Sequence, residues 1–286
     1  MWVLLAFCSA FFAGVTAILA KCGIKNTDSN LATALRTIVV LIFSWLMVFI
    51  ASVQDELLTV DFQTILFLVL SGISTGASWL CYFKALQIGD INKVTPIDKS
   101  STVMTMILAL FFLQEGITPI KCLAIVLIAL GTFLMIQKKP SEKAIVKGNA
   151  WLFYALGSAF FASLTSILGK IGVENINSTL GTAIRTIVVL IMAWVVVFVT
   201  KKQSTIKSID KNSWLFLVLS GIATGASWLC YYAALQTGPA SIVVPIDKLS
   251  IVITVIFSYF VFKEKLSKKA SFGLVTIVGG TLIMLL

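Results

Sequence analysis

A chain of 286 residues with 59% hydrophobic and 12% charged residues lies far outside the range of soluble domains, so lipid must be its main solvent. Its net charge of +10 would point to nucleic acid in a soluble protein, but here the lysines crowd into loops, where they meet headgroups and set orientation, and no nucleic-acid partner is expected. Cys8, Cys22, Cys81, Cys122 and Cys230 lie in or beside apolar runs without metal-ligand spacing, and histidine is absent, so no structural disulfide, metal site or cofactor is expected.

Apolar runs near the ~20 residues that cross a bilayer recur from end to end. They predict spans at 2–20, 31–52, 65–86, 93–113 and 119–137, then at 151–169, 180–200, 214–236, 242–262 and 270–286. The first lacks a preceding basic region and returns as 151–169, so it is read as a mature helix rather than a signal peptide. The expected fold is an all-α integral membrane protein of ten transmembrane helices. Residues 1–137 and 150–286 form two five-helix units, and 138–149 a basic linker.

Sliding the chain along itself by about 149 positions aligns the halves without a gap and leaves roughly half the positions identical. Arg36 falls on Arg185, Gly72 and Gly76 on Gly221 and Gly225, and Trp79 and Tyr82 on Trp228 and Tyr231. Pro96-Ile97-Asp98-Lys99 falls on Pro245-Ile246-Asp247-Lys248. Five is odd, so the second unit must cross in the opposite sense, which makes an inverted repeat. Loop charges agree: residues 52–64 carry Asp55, Glu56 and Asp61 and no base, whereas their counterpart carries Lys201, Lys202, Lys207 and Lys211. The positive-inside rule then places Lys138, Lys139, Lys143 and Lys147 in the cytoplasm and both termini outside, in the cell membrane.

The third span of each half ends in Tyr82-Phe83-Lys84-Ala85-Leu86 and Tyr231-Tyr232-Ala233-Ala234-Leu235. A proline opens the fourth, at Pro96 and Pro245; Glu115 and Glu264 close it, ahead of a last span with Gly131 or Gly280. On these features the whole chain resembles a two-repeat member of the drug/metabolite transporter superfamily, EamA type, and each half resembles the single-repeat members. The resemblance implies ten helices around a central cavity and movement of small metabolites by alternating access. The superfamily's proton-coupled drug exporters carry a carboxylate within the first helix. Here the first span of each half has no Asp or Glu, so proton coupling would use other groups. Expected partners are the lipid bilayer, a small-molecule substrate and protons or another coupling ion, with the chain acting as a monomer or homodimer.

An ionisable side chain inside a span costs ~2.5–3.5 kcal/mol and calls for a partner or a wet cavity. Arg36, Asp98 and Lys99 in the first half and Arg185, Asp247 and Lys248 in the second meet that description. At 1.5 Å per residue Arg36 and Asp98 each lie roughly 8 Å inside their helix starts. Each trio is therefore expected to meet at one depth, either as Arg to Asp pairs pinning helices together or as a substrate and ion pathway. Each layer is net positive by one, which favours an acidic or zwitterionic solute. Polar stripes continue along Asp98, Ser101, Thr102 and Thr105, and along Asp247, Ser250 and Thr254; these and Trp79, Tyr82, Trp228 and Tyr231 are candidate cavity walls. Gly72, Gly76, Gly221 and Gly225 form Gly-x-x-x-Gly rows read as helix packing.

The favoured function is secondary transport of small polar metabolites, amino-acid-like or otherwise zwitterionic or anionic. The alternative is a flippase for a phosphate-bearing lipid gripped by Arg36 and Arg185. No enzyme is expected, since no compact nucleophile and base motif is present.

Overall fold

Apolar runs separated by short polar knots fold into helices, because every backbone polar group in lipid must be satisfied within its own segment. The computed structural model describes residues 1–23, 27–88, 91–136, 150–203, 206, 209–261, 263 and 266–285. The linker 138–149 and Lys25, Lys207 and Glu264 lie outside the described residues. Among these the helices are α1 (Trp2–Gly23), α2 (Ser29–Ile50), α3 (Phe62–Ile88), α4 (Ile91–Lys99), α5 (Ser101–Phe112) and α6 (Pro119–Met135). The second half has α7 (Ala150–Gly172), α8 (Ser178–Val199), α9 (Lys211–Thr237), α10 (Ala240–Lys248), α11 (Ser250–Val261) and α12 (Lys268–Ile283). Among the described residues seven segments are long and apolar enough to cross a bilayer, and large apolar side chains such as Phe111, Phe133 and Phe153 face outward. The protein is a multi-pass membrane protein.

Polar residues in the knots start and stop these helices. Asp28 accepts from the N–H groups of Asn30 and Leu31 ahead of α2, and Asn177 does the same for Thr179 ahead of α8. After α2 and α8 the chain turns through Ser52 and Lys201, both at φ 54°. The N–H of Val53 reaches back to Val48 O and that of Lys202 to Val197 O, which closes the same left-handed cap in both halves.

Asp61 and Asp210 precede α3 and α9 and cap them. Hydrogen bonds from Ser213, hydroxyl first, hold the Asp210 carboxyl below the ordinary aspartate range, and Thr64 does the same for Asp61. A depressed folded-state value means that the caps stabilise above the unfolded aspartate pKa and are lost as pH falls through the folded one. Melting temperature in detergent is therefore expected to drop on acidification below about pH 4, and to drop less in Asp210→Asn, whose amide oxygen still caps.

The halves interlock by exchanging partners. α3 lies along α7 and α1 along α9, while α2 faces α8 and α6 faces α12. Glycine makes the closest crossings possible. A Cβ on Gly72 would sit 2.7 Å from Val188 Cβ on α8, and one on Gly221 2.6 Å from Val39 Cβ on α2. Gly76 and Gly225, one turn on, meet Met192 and Phe43 as closely. These rows are helix crossings between the halves.

The fourth span of each half departs from expectation. Neither 93–113 nor 242–262 is a single helix: the first breaks at Ser100 and the second at Leu249. There the N–H of Ser100 bonds Ile97 O at 3.1 Å and that of Leu249 bonds Ile246 O at 2.9 Å, three-residue steps that interrupt the α-helical ladder. Pro96 and Pro245 do not open these spans. They lie inside α4 and α10, a few residues before each break, where each withholds a backbone donor from the helix ladder.

Candidate functional site

The breaks determine where the charges go. Asp98 and Lys99 end α4, Asp247 and Lys248 end α10, and the hydroxyl stripes resume on α5 and α11. Between these elements, α6 and α12 lies a cavity of about 600 Å³, within the ~300–1,000 Å³ usual for small-molecule sites. The first half contributes Asp98, Lys99, Ser101 and Thr102 to its lining, and the second Lys248, Ser250 and Thr254. Tyr82 on α3 and Thr132 on α6 also face it, and it reaches Met135 and Ile136 where α6 ends. Lys99 lies within electrostatic reach of Asp98 and of Lys248, so the two ammonium groups share one space.

The carboxylates are held by serines, not by arginines. The Ser158 hydroxyl on α7 donates to Asp98 Oδ1 at 2.7 Å and lies 3.3 Å from the Ser78 hydroxyl on α3. In the mirror arrangement Ser9 on α1 donates to Asp247 Oδ1 at 2.6 Å and lies 3.2 Å from Ser227 on α9. Each aspartate is thus oriented by the opposite half. Lys248 also approaches Asp247, at 3.9 Å.

Arg36 and Arg185 occupy equivalent sequence positions but different environments. Arg185 is buried; its Nε donates to Ser71 Oγ at 2.9 Å and an Nη donates to Thr75 Oγ1 at 2.6 Å, both on α3. Its guanidinium also stands 5.3 Å from the Trp228 ring and 4.9 Å from that of Tyr232. Arg36 instead lines a separate pocket of about 140 Å³ with Asn30, Thr33, Trp79 and Phe83, among others.

The expected meeting of Arg36 with Asp98, and of Arg185 with Asp247, does not occur. That expectation took neighbours from within one half, whereas α4 packs on α7 and α10 on α1, which brings serines to the aspartates. Tyr82, Ser101, Ser250 and Thr254 line the large cavity and Trp79 the small one. Three expected wall residues lie elsewhere: Thr105 is buried and bonds Ser101 O, Trp228 faces Arg185, and the Tyr231 hydroxyl donates to Ser166 Oγ at 2.8 Å. Sequence reasoning missed Ser9, Ser71, Thr75, Ser78, Ser158 and Ser227. Their signal was available: small polar residues in apolar helices, with Ser9 repeated as Ser158 and Ser78 as Ser227. The Glu115 carboxylate accepts the N–H groups of Ala240 and Ser241 and so caps α10 from the other half.

The profile of the EamA-like transporter family matches residues 1–137 and again 149–286. The chain belongs to this family. An uncharacterised transporter of Sinorhizobium, from the region 3′ of cobO, is 45% identical over 136 residues, which are 48% of this chain and 96% of the relative. That relative therefore matches about one half of the chain. A Pseudomonas fluorescens protein named as a probable 4-amino-4-deoxy-L-arabinose-phosphoundecaprenol flippase subunit, ArnE, is 32% identical over 74 residues, 26% of this chain and 63% of its own length. A solved crystal structure superposes with a TM-score of 0.81 at 14% identity, covering 99% of this chain and 96% of the other, and so shares the fold. The EamA-type architecture thus places two homologous helical units around the cavity that holds Asp98, Lys99 and Lys248.

Proposed function

We propose that the chain is a secondary transporter for small solutes bearing a carboxylate or phosphate, zwitterions included. In this reading ten spans, five per half and opposite in sense, alternately expose the cavity between the two broken helices. One observation carries the solute class. The cavity is lined by two ammonium groups, Lys99 and Lys248, and by one carboxylate, Asp98, which already accepts a serine proton. Asp98 in the wall and Asp247, 3.9 Å from Lys248, each already accept a serine proton, which leaves the two ammonium groups as the charged donors that face an anion. Hydroxyls of Ser101, Thr102 and Ser250 supply further polar groups, Thr254 donates to Ser250 O and offers an acceptor, and Tyr82 is an aromatic wall. Asp98 and Asp247 are the groups through which a proton or another ion would couple.

Lysine sorting sets the sides: the linker is cytoplasmic and both termini are outside. α6 ends at the linker, so the cavity reaches toward the cytoplasmic end. A second reading, a flippase for a phosphate-bearing lipid, is favoured by the likeness to the ArnE protein.

The test is counterflow in proteoliposomes loaded in turn with amino acids, other carboxylates, phosphate esters and organic amines. Saturable exchange of an anionic or zwitterionic solute is expected. Exchange confined to amines would overturn the solute class. Movement of a lipid phosphate between leaflets, without solute exchange, would establish the flippase reading instead.

A further inference from the structure

Arg185 and Arg36 differ in contacts although the backbone around them is the same. The carbonyl of Arg185 lies 3.3 Å from where a Cβ on Gly72 would be, and that of Arg36 lies 3.1 Å from the same point on Gly221. So α8 crosses α3, and α2 crosses α9, at matching positions and nearly matching distances. Ser71 and Thr75 flank the first crossing and bind Arg185. Their repeat equivalents, Ser220 and Thr224, flank the second and do not bind Arg36. Ser220 turns its hydroxyl back to Leu217 O on its own helix; Thr224 donates to Ser220 O, as Thr75 does to Ser71 O, and lies 3.3 Å from Thr16 Oγ1. Ser71 makes no such retreat: it donates across to Thr165 O on α7.

The Arg36 side is also incomplete. Among the described residues no acceptor bonds its guanidinium, and the buried Oδ1 of Asn30 in the same pocket has no partner. Arg36 is only half-buried, unlike Arg185, so its guanidinium can leave this pocket and take an acceptor in another state. Arg185 enters its helix at the end of the molecule away from the linker, where Glu115 and Glu56 also join the halves through Ala240, Ser241 and Asn177. Arg36 enters at the linker end, where an exposed Lys202 to Asp28 pair at 3.8 Å crosses the halves.

We propose that Arg36 with Ser220 and Thr224 forms the second of two alternating latches, and that the present structure shows the first, Arg185 with Ser71 and Thr75, engaged. When the linker end closes, the Arg36 side chain leaves its pocket and takes the two hydroxyls, while Arg185 releases Ser71 and Thr75. The helix frame for both states is already built, so the switch needs a side-chain swing and a small shift of α9 against α2. The proposal rests on alternating access and assigns the residues that hold each end shut.

The test uses a variant without native cysteines and with one cysteine at Ser250 in the cavity, labelled by an impermeant maleimide from either face of oriented proteoliposomes. Losing a bidentate charged contact should shift the balance of states by roughly ten-fold. Arg36→Ala is expected to lower labelling from the non-linker face by about that factor, and Arg36→Lys, which retains the charge for folding, to act in the same direction. Ser220→Ala with Thr224→Val should reproduce the effect, although Arg36 touches neither residue here, and adding Arg36→Ala should change nothing more. Ser71→Ala with Thr75→Val should raise labelling from that face. Parent-like labelling in the Ser220 and Thr224 variant, or additive effects, would remove the latch alone. A parent labelled from one face under every substrate gradient would remove alternating access and the latch with it.

Discussion

Uptake of an anionic substrate should fall more than about a hundred-fold when Lys99 and Lys248 are both replaced by glutamate. Each lysine faces a space it shares with the other and with Asp98, and the exchange turns two cations and one anion into three anions. At an effective dielectric near 20 a unit charge ~4 Å away contributes about 4 kcal/mol, so reversing even one of two contacts outweighs the ~2.7 kcal/mol of a hundred-fold change. Neither ammonium anchors the fold: both residues are exposed, and the Lys248 approach to Asp247 is a loose 3.9 Å. Lys99→Gln and Lys248→Gln singly should each cost about ten-fold, through loss of one charge-assisted contact. Initial uptake rates and thermal melts on the same preparations separate transport from folding. Wild-type rates in the double glutamate variant would mean that the cavity charges do not read the solute.

The largest structural effect is expected at Gly131. α6 meets α12 so closely that a Cβ there would lie 2.7 Å from the carbonyl oxygen of Gly273 and 2.8 Å from the backbone nitrogen of Ile277. Backbone atoms cannot swing aside as a side chain can, so the two helices must separate. Gly131→Ala should cost about 1–3 kcal/mol and Gly131→Leu should prevent native packing. Gly279→Ala is the control, because nothing lies within 4 Å of its Cβ position; it should be neutral or slightly stabilising. The neighbours Thr132 and Ile277 line the cavity, so Gly131→Ala should reduce uptake together with stability. Melting curves in detergent that coincide for Gly131→Ala and Gly279→Ala would refute the close crossing.

The apolar runs, the repeat and the polar residues that end helices are local properties, and the chain states them outright. Hydropathy placed the helices, the offset of about 149 residues placed their equivalents, and the cost of burying charge singled out Asp98, Lys99 and Lys248, which do line one cavity. The glycine rows were legible for the same reason, since a missing side chain in a lipid-facing helix has few uses besides close approach.

Partner choice was not local. Asp98 finds Ser158 and Asp247 finds Ser9 because the halves exchange helices, and no periodicity within one span reveals which helix from the other half will lie against it. The broken fourth spans were hidden as well, because a single three-residue step at Ser100 or Leu249 leaves the hydropathy of the run unchanged. The difference between Arg36 and Arg185 lies furthest beyond the sequence. Their surroundings are nearly the same in composition, Ser71 and Thr75 matching Ser220 and Thr224, and a near-identical sequence carries no mark of which copy is engaged. Only the tertiary structure, in which Arg185 bonds Ser71 and Thr75 while Arg36 bonds neither counterpart, separates two sites that the chain encodes alike.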